Sequence, residues 1–107
     1  PPTVEYWSRR AGLLADATIL VNTPSLGMTV QPPLDLALDA LPVDAVLNDI
    51  VYVPLETELL AAARARGNAV VDGLGMLLHQ ARPGFEAWFG QKTEVTPELR
   101  EFVLGSV

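Results

Sequence analysis

The sequence has no cysteine and a single histidine. Without thiols there is no disulfide framework and no thiolate nucleophile, and a zinc site has no ligand set to draw on. A cysteine-free chain fits a reducing, cytoplasmic setting. Basic residues are also scarce, 7 Lys and Arg against 13 Asp and Glu, giving a net charge of −6. That balance argues against nucleic acid or an anionic membrane as a partner, and any phosphate would have to be held by local features. No apolar run approaches the roughly 18 residues that suggest a membrane-crossing helix. The opening, Pro1 to Glu5, carries neither the basic nor the apolar segment of a secretory signal. No repeat is visible.

What is present suffices for a folded unit. The chain has 107 residues, half of them hydrophobic, and a mean hydropathy of +0.28. These values predict one domain at most, burying roughly two-thirds of its unfolded surface.

The most unusual stretch is Asp72-Gly73-Leu74-Gly75-Met76-Leu77-Leu78-His79-Gln80. Ala69-Val70-Val71 leads into it as a short strand, and a long apolar-periodic helix leads out. Helical spacing puts Gly73, Met76 and Gln80 on one side. Leu74, Leu78, Ala81, Phe85 and Trp88 form a second stripe, expected to face a core. Three readings of the glycines stand side by side. They can be a plain strand-to-helix turn, with Met76 as core filler and Gln80 as a surface amide. They can be a dinucleotide fingerprint, although the third glycine position holds Leu78. Or they can form a small-molecule wall, with Met76 against a flat ring and Gln80 supplying a paired donor and acceptor.

Taken in order, Ser8 to Leu14 predicts a short helix packed through Trp7, Leu13 and Leu14. Ala17 to Val21 reads as a strand covered on both faces, ended by the loop Asn22-Thr23-Pro24-Ser25-Leu26-Gly27-Met28. A helical turn is expected within Leu34 to Leu41. Ala45 to Asp49 is a second buried strand, running out through Ile50-Val51-Tyr52-Val53-Pro54. Leu55 to Arg66 predicts a helix with Thr57 as N-cap and Gly67 as its left-handed stop. A third strand covers Ala69 to Asp72. Pro83 predicts a kink or break between His79 and Gly84. Thr96-Pro97-Glu98 starts a last helix running to about Leu104.

Strands and helices in this alternation describe an α/β sheet with parallel strands, whose ligands lie beyond the strands' carboxyl ends. Those ends are Asn22–Met28, Asp49–Tyr52 and Gly73–Gln80, where the uncommon residues of the chain gather. Other chemistry finds little footing. Ser8, Ser25 and Ser106 lack a nucleophile elbow, and His79 is turned about 100° from Gln80 on an ideal helix. Asp49 and Asp72 end strands, where an aspartate more often caps a turn or helix than acts as a base.

In three blocks the chain resembles shikimate dehydrogenase, an NADP-dependent family. The blocks are Val21-Asn22-Thr23-Pro24-Ser25-Leu26-Gly27-Met28, Asp49-Ile50-Val51-Tyr52-Val53-Pro54-Leu55-Glu56-Thr57, and Asp72 through Ala81. The resemblance, continued by Phe85 and Trp88-Phe89-Gly90, is to the C-terminal part of the family's chain. It implies that residues 1–107 are one partial domain, the second half of a Rossmann-type NADP-binding domain plus C-terminal helices. It further implies that Tyr52 and Gln80 hydrogen-bond the ring acid, shikimate or 3-dehydroshikimate. Ile50 and Gly73 would hold the nicotinamide end of NADP through their backbones, with Met76 on the ring and Asn22 and Thr23 lying along the cofactor. The catalytic lysine and aspartate of the family, and its glycine-rich phosphate loop, belong to parts with no counterpart in this sequence. No catalytic residue is therefore expected here, and the missing N-terminal part is the expected partner. Apolar faces without that part would favour pairing of two copies. Val53 departs from the asparagine common after the tyrosine, and Pro83 is not general in the family. The alternative readings are a quinate-acting or NAD-using relative and a non-catalytic α/β module.

Overall fold

The computed structural model describes residues 2–106, so Pro1 lies outside the described residues. Arg10–Leu13 forms a one-turn helix, α1, between 3-10 turns at Trp7–Arg9 and Leu14–Asp16. Of its three expected packing residues only Leu14 is buried. Leu13 is half exposed, and Trp7 lies outside with the Arg10 guanidinium over its ring at 4.7 Å.

Three short strands follow, β1 (Ile19–Asn22), β2 (Val46–Asp49) and β3 (Ala69–Val71). All pairings are parallel and the order in the sheet is β1-β2-β3. Register aligns Leu20 with Leu47 and Leu47 with Val70, a row of apolar side chains across one face. On that row sits helix α2 (Glu58–Arg66), which packs on β2 and β3 through Leu59, Leu60 and Ala63. Leu14, Leu38 and Leu41 complete the same core.

The opposite face is half bare. Ile19 is 65% exposed, Val21 47% and Val71 49%, which corrects the expectation of a strand covered on both faces. The apolar run does form a strand, but the described residues supply a packing layer for one side only. The stretch between β1 and β2 contains turns and no helix, so the helical turn expected before Pro42 is absent.

Thr57 caps α2 as expected, its hydroxyl accepting from Leu60 N, and Gly67 ends it at φ +94°. Leu55 and Glu56 stay outside the helix. Asn68, just after, was not singled out by sequence. It is buried, and its amide donates to the carbonyls of Pro42, Val43 and Ala45 at 2.9, 3.1 and 2.9 Å. Thus the turn entering β3 is stitched to the turn entering β2.

Helix α3 (Gly73–Phe89) is capped by Asp72 and runs unbroken through Pro83. Of the kink or break expected there, the break does not occur. Proline removes the bond that would end on His79 O, but both residues are exposed, so water can take the place of the lost donor. The predicted core stripe is buried only at its start. Leu74 and Leu78 are covered, whereas Ala81, Phe85 and Trp88 are exposed, Trp88 at 82%. The far half of α3 is largely uncovered. Accordingly the radius of gyration, 15.9 Å, exceeds the ~13 Å of a compact domain of similar length. Helix α4 (Pro97–Leu104) starts at Thr96 as expected, and Arg100 returns to Asp72 at 2.6 Å. No helix among the described residues is long and apolar enough to cross a membrane.

Asn68→Ala leaves three backbone carbonyls without their buried donor. It should lower unfolding free energy by about 1–3 kcal/mol in urea titration. Ala62→Ser, on the exposed side of α2, should change it by less than about 0.5 kcal/mol.

Candidate functional site

Parallel pairing brings the carboxyl ends of β1 and β2 side by side, with Asn22 opposite Asp49. The ladder continues one step beyond the strands, Ile50 N donating to Asn22 O at 3.2 Å. From there the two strands diverge into the loops 23–28 and 50–53. Thr29 N donates to Val53 O at 3.2 Å and ties the loops together at their outer ends. Gly27, at φ +101°, allows the first loop to fold back, its N–H donating to Pro32 O.

Between the loops lies a cleft of about 300 Å³, bordered by Thr23, Pro24, Met28, Ile50, Val51 and Tyr52 among others. Its walls are mostly apolar, with the Thr23 hydroxyl, Ser25 and the half-buried Tyr52 as polar points. No basic residue lines it. Such a slot suits a flat ring with a few hydrogen-bonding substituents, and it offers nothing for a phosphate.

The cleft rests on Asp49. Its carboxylate is fully buried and accepts three hydrogen bonds: Asn22 Nδ2 at 3.1 Å, Val51 N at 3.0 Å and Thr57 Oγ1 at 2.8 Å. The Val51 bond closes an Asx turn, the turn chemistry expected of an aspartate at a strand end. Asp72 likewise serves as a cap, taking Leu74 N with one oxygen and Arg100 with the other.

Gly73 belongs to this constellation in a different way. A Cβ at Gly73 would stand 2.5 Å from Val51 O, with the carbonyl group of Ile50 just as close. The first turn of α3 can therefore seat on the β2 exit loop only because residue 73 has no side chain. Gly75 has open space around it and needs no such explanation.

The structure thus gathers Thr23, Ile50 and Tyr52 in one cleft, with Asn22 beneath it and Gly73 against its Ile50 wall. Asn22 is 4% exposed, and its amide is already engaged by Asp49 and by Leu26 O. Met76 is half-buried on α3 and Gln80 is exposed, and neither lines this cleft. Gln80 borders a separate depression of about 380 Å³ with Gly84, Phe85, Trp88 and Phe89. Sequence reasoning assigned no role to Met28 or Val51 in the cleft, although both lie in the two loops it singled out.

No family model matches the chain. Curated relatives do. The sequence is 64% identical over 104 residues to the NADP(+) shikimate dehydrogenase of Paramagnetospirillum magneticum, covering 97% of this chain and 38% of that one. It is 61% identical over 105 residues to the Rhodospirillum rubrum enzyme of the same name, covering 98% and 37%. The chain therefore spans somewhat more than a third of the length of these relatives. Among solved structures, quinate dehydrogenase from Corynebacterium glutamicum with NAD superposes with a TM-score of 0.78 at 37% identity, over 88% of this chain and 33% of that one. Shikimate 5-dehydrogenase from Thermus thermophilus with NADP(H) and shikimate gives a TM-score of 0.76 at 29% identity, over 88% and 36%. Parallel strands, capped helices and sequence agree, and the chain is homologous over nearly its whole length to part of the shikimate dehydrogenase family.

Proposed function

We propose that the chain is the C-terminal portion of an enzyme that reversibly reduces 3-dehydroshikimate to shikimate with NADPH. The observation that carries this reading is the cleft between the β1 and β2 exit loops, bordered by Thr23, Ile50 and Tyr52 in a chain 64% identical to an enzyme of that name. The cleft's apolar walls and few polar points fit the nicotinamide end of the cofactor. Its lack of basic residues does not fit the phosphates, whose binding we assign to a part of the enzyme outside this sequence. When bound, the cofactor supplies the hydride.

The residues of this chain orient and enclose. Ile50 and Val51 offer backbone and apolar surface to a flat ring, and Thr23 a hydroxyl along its edge. Tyr52 offers a phenolic hydroxyl to the ring acid; Gln80, outside this cleft on α3, is assigned to the same acid by the family resemblance alone. Met76, half-buried on α3 and outside the cleft, is assigned to the cofactor ring by the family resemblance. Gly73 contributes by letting α3 approach the Ile50 wall. We assign catalytic proton transfer to residues outside this sequence. The location is the cytoplasm.

The rest of the enzyme is the partner this surface fits. Trp88 and Phe102 are 82% and 76% exposed, and the β1 face shows Ile19 and Val21. Between α3 and α4, Arg82 Nε and Thr93 Oγ1 are buried without a partner beside a depression of about 460 Å³. Surfaces of this kind belong under another layer of protein. A second copy of the chain is the competing cover. A quinate-acting relative using NAD is favoured by one observation, the 0.78 TM-score to quinate dehydrogenase in complex with NAD.

Three outcomes test the proposal. The 107-residue chain alone should not oxidise shikimate with NADP or NAD above buffer, whereas the full-length protein should; turnover by the fragment would move catalysis into it. In the full-length protein, Tyr52→Phe keeps the ring and removes the hydroxyl. It should lower kcat/KM by about tenfold or more, corresponding to ~1.4 kcal/mol or above for one lost bond in a closed site. An unchanged value would return Tyr52 to packing. Gln80→Ala should raise the KM for shikimate by about tenfold and leave the KM for NADP within about twofold. The reverse pattern would remove Gln80 from the substrate wall.

A further inference from the structure

Asp49 is the one Asp or Glu sealed from solvent among the described residues. None of their ion pairs includes it. Its carboxylate is matched by neutral donors alone: a side-chain amide, a backbone N–H and a hydroxyl. A buried polar group is a poor choice where stability is the sole requirement, since apolar groups of the same shape in place of both partners can be neutral or stabilising. The three donors explain the choice. Asn22 ends β1 and precedes Thr23. Val51 lies between Ile50 and Tyr52. Thr57 opens α2 and at the same time caps it through Leu60 N.

One carboxylate therefore fixes both walls of the cleft relative to α2. Its bond to Val51 N sets the plane of the Ile50–Val51 peptide and so the direction of the Ile50 carbonyl, one of the groups against which Gly73 seats. Without it the Ile50–Tyr52 segment keeps its covalent connection to β2 but loses the Asx turn that orients it. Asparagine cannot reproduce the arrangement in full. Its oxygen can serve Asn22 and Val51, but its amide then faces the Thr57 hydroxyl, whose proton is left without an acceptor.

We infer that Asp49 is a positioning residue that holds the Ile50–Tyr52 and Asn22–Thr23 walls at the separation a nicotinamide ring requires. This deepens the function proposed above and rests on it. Asp49 touches no reacting atom and acts through the two loops.

The test uses the full-length protein, unaltered and as Asp49→Asn and Asp49→Ala, each checked for folding by circular dichroism. NADPH affinity is measured by fluorescence titration, and Val51 amide exchange is followed in the cofactor-free protein. Asp49→Ala should weaken NADPH binding by about tenfold and Asp49→Asn by about threefold, from loss of several bonds and of one. Exchange at Val51 should quicken in the alanine variant, and kcat at saturating cofactor should fall less than kcat/KM. A merely structural role would reduce the folded fraction and leave the Kd of the folded molecules unchanged. An unchanged Kd in a folded variant overturns the inference. So does failure of both variants to fold, which would make the carboxylate a folding requirement. Absence of NADPH binding by the unaltered protein overturns the proposed function as well.

Discussion

A carboxylate taken out of water must find as many donors as it leaves behind. In this protein that requirement falls on Asp49, and meeting it organises the loop end of the sheet. Asn22 reaches across from the neighbouring strand, Val51 turns back by two residues, and Thr57 closes the group from the start of α2. Each donor comes from a different element, so the bonds cannot all form unless those elements are in register. The cleft above Asp49 is a consequence of that closure.

A second constraint, steric rather than electrostatic, places α3. The Ile50 and Val51 backbone occupies the space that a side chain at residue 73 would need. Glycine there shortens the distance between helix and loop. Asp72 caps the helix at the same point and receives Arg100 from α4, so the start of α3 is held from three directions. Past Leu78 the helix is tied to the following segment at Glu86, which accepts from Thr93 N, and it carries its aromatic residues outward. Order and exposure along α3 thus reflect where the chain's own partners stop.

Much of this was legible beforehand. Thr57 and Thr96 at helix starts and Gly67 at a helix end follow from local rules that need no distant contact. The three carboxyl-terminal loops were also identifiable, because proline, glycine and polar residues interrupt apolar runs there. Other features were not legible. Asn68 looks like an ordinary turn residue until the turn before β2 is seen to lie against it. Nor does the stripe from Leu74 to Trp88 say where burial ends, since periodicity records which side is apolar and not how far a neighbour extends. Pro83 shows the limit of a local rule. The lost bond weakens the helix without ending it when the orphaned carbonyl faces water.

The amino-acid sequence by itself determined the kinds of element, their caps, their parallel arrangement and the family to which they are homologous, because each rests on neighbours within a few residues or on matching blocks. Tertiary structure alone decided which polar residues share a cleft. Thr23, Ile50 and Tyr52 meet because Asn22 pairs with Asp49 across the sheet, a contact 27 residues apart in the chain. Gln80, on the apparent ligand side of its helix, lies over a different depression because helical spacing fixes direction around an axis but not the position of that axis in the fold.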